Sequence, residues 1–179
     1  GAGFINFFLS PDVFHRTLTE ASTNPDYGKS SAYAGKKVIV EYTDTNPFKL
    51  FHIGHLMSNA IGESLSRLIE WGGAEVKRAD YQGDIGLHVA KAIWGIQHSG
   101  EAADSVSALG KAYALGATAY ESDEQAKKEI QEINKKVYER SDPEINKIYD
   151  VGRKISLDYF ESIHILLGTH FDYYFFESE

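Results

Sequence analysis

The sequence predicts an α/β fold: the first half of a Rossmann-like parallel-sheet domain, followed by a mainly helical segment. Three observations carry that expectation. Val38-Ile39-Val40 is a short β-branched run of the kind that forms a buried parallel strand. After a loop, Leu56, Met57, Ala60, Ile61, Leu65, Leu68 and Ile69 recur at three- and four-residue spacing, one face of an amphipathic helix that Gly72-Gly73 stops. Residues 75–81 then read as a second strand, so strand, loop, helix and strand make a βαβ unit.

The flanking elements follow in order. Residues 4–9 are apolar and read as a strand, and Ser10-Pro11 opens a short helix, with proline at the first helical position. Residues 21–35 are small, polar and glycine-containing, which predicts a linker or mobile loop. A helix is expected from Gly86 to about Gln97, and a loop over 98–104. Beyond it the chain reads as charged helix to about Leu167, restarting at Asp142-Pro143 and ending at Gly168. Residues 171–176 form an aromatic strand candidate. The alternating charges over 105–147 are a solvated helical face.

Composition narrows the function. The chain has 179 residues, 42% of them hydrophobic, and a formal net charge of −8, which argues against gripping nucleic acid mainly through its phosphates. It has no cysteine, which excludes disulfides, thiolate zinc sites and cysteine nucleophiles. The opening apolar run is too short for a membrane span and lacks a basic leader. The only methionine is Met57, so the chain reads as excised at both ends.

The chemistry concentrates in residues 41–55, at the carboxyl end of the first strand and the start of the following helix. Ligands of open α/β sheets bind outside the carboxyl ends of strands, and helix N-termini favour phosphate. His52 and His55, three residues apart with Gly54 between them, can flank a polyphosphate, and glycine there lets a nucleotide approach the backbone. A bare His-x-x-His is a weak signal, equally an incidental pair or half of a metal site. A zinc reading that enlists His88 and Asp84 has no fixed spacing to support it, and no protein-bound metal is expected.

His52-Ile53-Gly54-His55 resembles the motif of class I aminoacyl-tRNA synthetases. The longer frame of Glu41-Tyr42, Asn46, Lys49, Phe51-His52, Gly54-His55, Gly62, Leu65, Tyr81, Gly83-Asp84 and Gly86 is similar to arginyl-tRNA synthetases over residues 36–98. A weaker echo continues in Leu167-Gly168, Phe171-Asp172 and Glu177-Ser178. The resemblance implies part of a catalytic domain: residues 1–35 as junction strand and linker from a missing N-terminal domain, 36–104 as the first half of the nucleotide-binding domain, and 105–179 as helical insertion and return strand.

It further implies ATP-dependent activation of arginine and its transfer to tRNA(Arg) by a cytoplasmic ligase, with Mg2+ accompanying ATP, no membrane, and tRNA engaged through the complete enzyme. His52, His55 and Lys49 would be catalytic. Glu41, Asp44, Thr45, Asn46 and His55 would contact arginine, and His52, Gly54, His55, Gly83, Asp84 and Gly86 would border ATP. A Lys-Met-Ser-Lys loop is absent, so the piece alone is expected to charge no tRNA. The sequence departs from the family pattern at Asp44-Thr45, Pro47, Leu50, Gln82, Ile85 and His88. The alternatives are a stand-alone module that binds ATP or an amino acid, and a class I nucleotidylyltransferase, which shares the fold but lacks the Glu-Tyr, Asn and Lys frame.

Overall fold

The computed structural model describes residues 3–100 and 103–179, so part of the loop expected over 98–104 lies outside the described residues. The order is α1 (Pro11–Thr23), β1 (Lys37–Glu41), α2 (Ile53–Trp71), β2 (Glu75–Gln82), α3 (Leu87–Ser99), α4 (Val106–Ser122), α5 (Glu124–Glu139), α6 (Pro143–Leu167) and β3 (Tyr173–Phe176). The strands form one parallel sheet in the order β1-β2-β3, with Val38 opposite Val76 and Tyr81 opposite Phe175. The α/β class, the βαβ unit and the helical second half are as expected.

Side chains alternate across a strand, so Arg78, Asp80, Gln82, Tyr174 and Phe176 share one face and Ile39, Lys77, Tyr81, Tyr173 and Phe175 the other. The first face is covered. Arg78 reaches α2 through Glu63 and Glu70, and the Tyr174 hydroxyl donates to Glu161 of α6. The second face is open, with Ile39, Tyr81, Tyr173 and Phe175 all exposed.

Three expectations need correction. Residues 4–9 form no strand; they are exposed and pair with no sheet edge, and a strand needs a neighbour to satisfy its backbone. Residues 24–36 are a series of turns docked on the end of α2 rather than a free linker. Ser30 N–H donates to the Trp71 carbonyl, Tyr33 N–H to that of Gly72, and the Trp71 indole to that of Tyr27. Helix α2 occurs where predicted, but its apolar stripe faces outward: Leu56, Met57, Ile61, Leu65 and Leu68 are exposed. The face against the sheet is His55, Asn59, Gly62 and Ser66.

That inversion has a steric cause. The Tyr42 ring lies under α2, where a Cβ on Gly62 would come within 2.1 Å of it, so only glycine fits. The Tyr42 hydroxyl donates to Glu63 at 2.6 Å, and Arg78 binds both Glu63 and Glu70. Asn59 bridges Thr43 and Thr169. A helix seated this closely, over a partly buried ion-pair network, presents small and polar groups inward. The Glu63 and Glu70 carboxyls are accordingly held below the usual range, for Glu63 by its bonds from Arg78, Tyr42 and Arg67 against the opposing effect of burial, and for Glu70 mainly by Arg78.

The helical half has its own apolar core, including Val89, Ile93, Leu109, Ile130, Val137 and Ile145. Helices α3 and α4 cross at backbone contact. A Cβ on Gly95 would meet the Ala112 carbonyl oxygen at 2.0 Å, and one on Gly116 the Lys91 oxygen at 1.9 Å. Asp123 and Asp142 cap α5 and α6 through side-chain bonds to the first free amides, and Gly168 ends α6 in the left-handed region. Phe48, fully buried, joins this core to the β1–α2 loop.

Gly62→Ala should push α2 off Tyr42 and destabilise the fold by about 1–3 kcal/mol, the usual range for overpacking. Urea denaturation of the chain measures this; an unchanged midpoint would mean that Tyr42 does not fix the helix position.

Candidate active site

The β1–α2 loop is held in a backbone shape it would not adopt alone. Thr43, Asp44 and Phe48 have φ of 81°, 54° and 67°, and a β-branched residue in that region is strained. Bonds from every side fix it. Thr43 N–H donates to Ser58 Oγ, Asp44 N–H to Asp80 Oδ1 at 2.9 Å, and Phe48 N–H to Ser156 Oγ at 2.9 Å. The Phe48 ring fills space on α6 that a side chain at Gly152 would occupy, 2.3 Å from its Cβ position.

The loop delivers the two imidazoles as a pair. His52 is the N-cap of α2, and its Nδ1 accepts the Gly54 N–H at 3.1 Å. His55 Nδ1 accepts the His52 N–H at 3.3 Å. The rings stack with centroids 3.8 Å apart and planes within 14°. With each Nδ1 engaged as an acceptor, each ring proton sits on Nε2, so two N–H donors lie side by side at a helix N-terminus. Gly54 has a local reason to be glycine: a Cβ there would sit 2.9 Å from the His52 ring.

Further candidate groups gather at Gly83, just beyond β2. Asn46 Oδ1 lies 2.7 Å, and Glu177 Oε2 3.5 Å, from where a Cβ on Gly83 would be. The Gly83 carbonyl accepts from His88 Nε2 at 2.9 Å. Lys49 stands 4.9 Å from the Tyr113 ring centroid, and its charge reaches both His55 and His88. Burial, then the His52 and Lys49 charges, bring His55 down to about 4; burial and Lys49 do the same for His88. Both rings are therefore neutral near pH 7.

Other sequence candidates sit differently. Asp84 is fully buried, and its carboxylate takes donors from Arg153 (2.6 Å), the Tyr149 hydroxyl (3.3 Å), and the backbone (3.0 Å) and hydroxyl (2.7 Å) of Ser178. Its side chain ties α6 to the end of β3 and, being fully buried, presents no surface to adenosine. Thr45 is likewise buried, with no surface to offer arginine. Glu41 is exposed but shares the alternation of Ile39, on the open sheet face away from α2. Asp44 is exposed at the loop crest, Oδ1 accepting the Tyr81 N–H at 3.4 Å. Gly86, at φ 116°, begins α3.

Two residues of the site escaped the sequence reading. Asp80 holds the Asp44 amide on Oδ1 and the Gln82 amide on Oδ2 (2.7 Å), and burial pushes its carboxyl up to about 6. An acid inside a strand expected to be buried was the available signal. Glu177 follows β3, its N–H donating to the Gln82 carbonyl and its carboxylate approaching Gly83; the aromatic strand candidate over 171–176 ended just before it, but its direction was not legible.

The model of the family described as tRNA synthetases class I (R), catalytic domain, matches residues 17–169. The chain belongs to that family. The arginine–tRNA ligase of Clostridium kluyveri is 33% identical over 181 residues, covering 98% of this chain and 32% of that protein. That of an Anaeromyxobacter species, strain K, is 44% identical over 90 residues, 50% of this chain and 15% of that protein. The chain thus spans about a third or less of the length of these relatives. Among solved structures, an arginyl-tRNA synthetase from Plasmodium falciparum shares the fold, with a TM-score of 0.55 at 21% identity over 82% of this chain and 24% of that one. A putative arginyl-tRNA synthetase from Campylobacter jejuni does so at 0.57 and 17%, over 94% and 37%. Class I synthetase membership disposes of the nucleotidylyltransferase alternative. Among the described residues no helix is long and apolar enough to cross a membrane.

Long-range 15N NMR should find His55 as the Nε2–H tautomer, neutral until the pH falls to about 4; titration near pH 6.5 would show that it is solvated instead. Asp80 gives a second test. Its folded value of about 6 lies above the ordinary 3.8, so the stability tied to its proton is full below about pH 4 and is lost as pH rises through 6. Asp80→Asn keeps an acceptor for the Asp44 amide and removes that loss. Relative to wild type, its stability should rise by about 1–3 kcal/mol between pH 4 and 7; a constant difference across that range would refute it.

Proposed function

We propose that this chain forms the phosphate-binding wall of an arginine–tRNA ligase, where the arginine carboxylate attacks the α-phosphate of ATP. The observation that carries the reading is the stacked His52–His55 pair, which presents two Nε2–H donors beside the strand tips. In that step a carboxylate oxygen bonds to phosphorus, the bond to the β-phosphate bridge breaks, and pyrophosphate leaves with its Mg2+. Arginyl adenylate remains, and a terminal ribose hydroxyl of tRNA(Arg) then takes the arginyl group and releases AMP.

The residues act by position and charge. His52 and His55 donate to phosphate oxygens as negative charge builds there, and Lys49 adds a cation beside them. A neutral His55 suits this role, because it donates without holding pyrophosphate by a full charge. Asn46 and Glu177, which both approach Gly83, suit the amino end and a cationic group of arginine. Asp44 borders the same loop, whereas Glu41 would reach arginine only from the open sheet face. Gly54, Gly83 and Gly86 would border ATP, the first two seating the His52 ring and the Asn46 amide close against the backbone. Asp80, Asp84 and Thr45 hold the loop and the strand ends in register.

Within the complete enzyme, residues 1–35 serve as the junction to an N-terminal domain, 36–104 as the first nucleotide-binding half, and 105–179 as helical insertion and return strand. The remaining walls, the tRNA contacts and the cytoplasmic setting belong to the whole ligase.

In the full-length enzyme, His52→Ala should lower arginine-dependent ATP–pyrophosphate exchange roughly 100-fold or more while changing ATP affinity only a few-fold. Glu177→Gln should raise KM for arginine about tenfold, the effect of one weakened charged contact of about 1.4 kcal/mol. Equal losses of ATP affinity and exchange rate in His52→Ala would reduce the pair to a simple binding element, as in a module without turnover.

A further inference from the structure

Lys49 leaves the β1–α2 loop just before the histidine pair, and among the described residues no carboxylate lies within ion-pair distance of it. Its Nζ stands instead over the ring of Tyr113, 4.9 Å from the centroid. An ammonium within about 6 Å of an aromatic face is drawn to the negative charge on that face. Helix α4 is seated so as to bring the ring there. Gly110 and Tyr113, one turn apart on α4, meet Leu50 and Lys49, which are neighbours in the loop. A Cβ on Gly110 would stand 3.2 Å from Leu50 Cγ, so the helix lies close against the loop.

Both ends of the lysine are thereby restrained. Phe48, the residue before it, is wholly buried, and the Tyr113 ring is half-buried against the helical core. The four-carbon stem between them would otherwise swing freely. The kind of partner matters as much as its presence. A carboxylate would cancel the lysine's charge and compete with any phosphate for it. A ring face restrains the ammonium and leaves its full charge to act on what lies nearby. The neighbours feel that charge: it adds to burial in holding down His88, and to burial and His52 in holding down His55.

We propose that Tyr113 is a positioning residue of the phosphate-binding wall, its ring face holding the Lys49 ammonium beside the histidine pair with its charge unspent. The contact itself stands on geometry alone, and its effect on the reaction rests on the arginine-activation reading. Tyr113 acts through Lys49 and touches no reacting atom. The helical half thus adds a side chain that governs where the site's cation stands, besides buttressing the loop.

Two measurements test this. In the 179-residue chain, NMR follows the ring titrations of His55 and His88. Trifluorophenylalanine at position 113 keeps the shape of the ring, so the chain folds, but it strips the negative charge from the face. Both histidines should then titrate higher than in the wild type, as they should in Lys49→Met, while Tyr113→Phe leaves them where they are. In the full-length enzyme, the trifluoro ring should lower kcat for arginine-dependent ATP–pyrophosphate exchange about tenfold, with little change in KM for arginine or ATP. Placed on top of Lys49→Met, it should cause no further loss. Unmoved titrations would overturn the proposal. So would an equal loss of kcat in the Lys49→Met background, because the ring would then act by packing alone. A wild-type enzyme without arginine-dependent exchange would sink the functional reading instead, and the titrations would still decide where Tyr113 holds Lys49.

Discussion

The site depends on holding one loop in a conformation that its residues disfavour. Thr43, Asp44 and Phe48 all lie at positive φ, where non-glycine residues each cost of order 1–3 kcal/mol. What offsets that cost comes from opposite sides. Asp80, in the middle strand, takes the Asp44 amide, and Phe48 is sunk against Gly152 with its own amide on Ser156. The sheet thus grips one end of the loop and the helical half grips the other. The histidine pair follows directly, because the chain leaves this loop at the residue that caps α2.

The helical half is therefore part of the site's support rather than an appendage. Asp84 makes a second tie between the halves, collecting Arg153 and Tyr149 of α6 together with Ser178 beyond β3. That network brings the end of β3 beside β2, and with it Glu177 beside Asn46 and Gly83. A buried carboxylate with four donors orders its surroundings strongly, since losing Arg153 would leave its charge uncompensated in a dry interior.

Much of this was legible in the sequence, for identifiable reasons. The strand at Val38-Ile39-Val40, the glycine stop at 72–73 and the Asp142-Pro143 helix start are local signals that the structure keeps. The strand is not the buried one expected, however: none of its residues is buried, and Ile39 faces the open side of the sheet. The proximity of His52 and His55 is likewise local, set by three residues of helix. Contacts that join distant residues were not legible. Asp84 reads as a residue at the ATP border until Arg153 and Ser178 arrive from 69 and 94 positions away. Residues 4–9 have strand composition, but pairing needs a neighbour that composition does not name.

Helix α2 carries a practical lesson about which side of a helix is its inside. Hydrophobicity would mark Leu56, Met57, Ile61, Leu65 and Leu68 as the interior and Asn59, Gly62 and Ser66 as free surface. Anyone grafting charges or labels onto the apparently bare side would drive them into Tyr42 and the Arg78 ion-pair cluster. In this chain, handles on the greasy side would leave Tyr42 and the Arg78 cluster untouched.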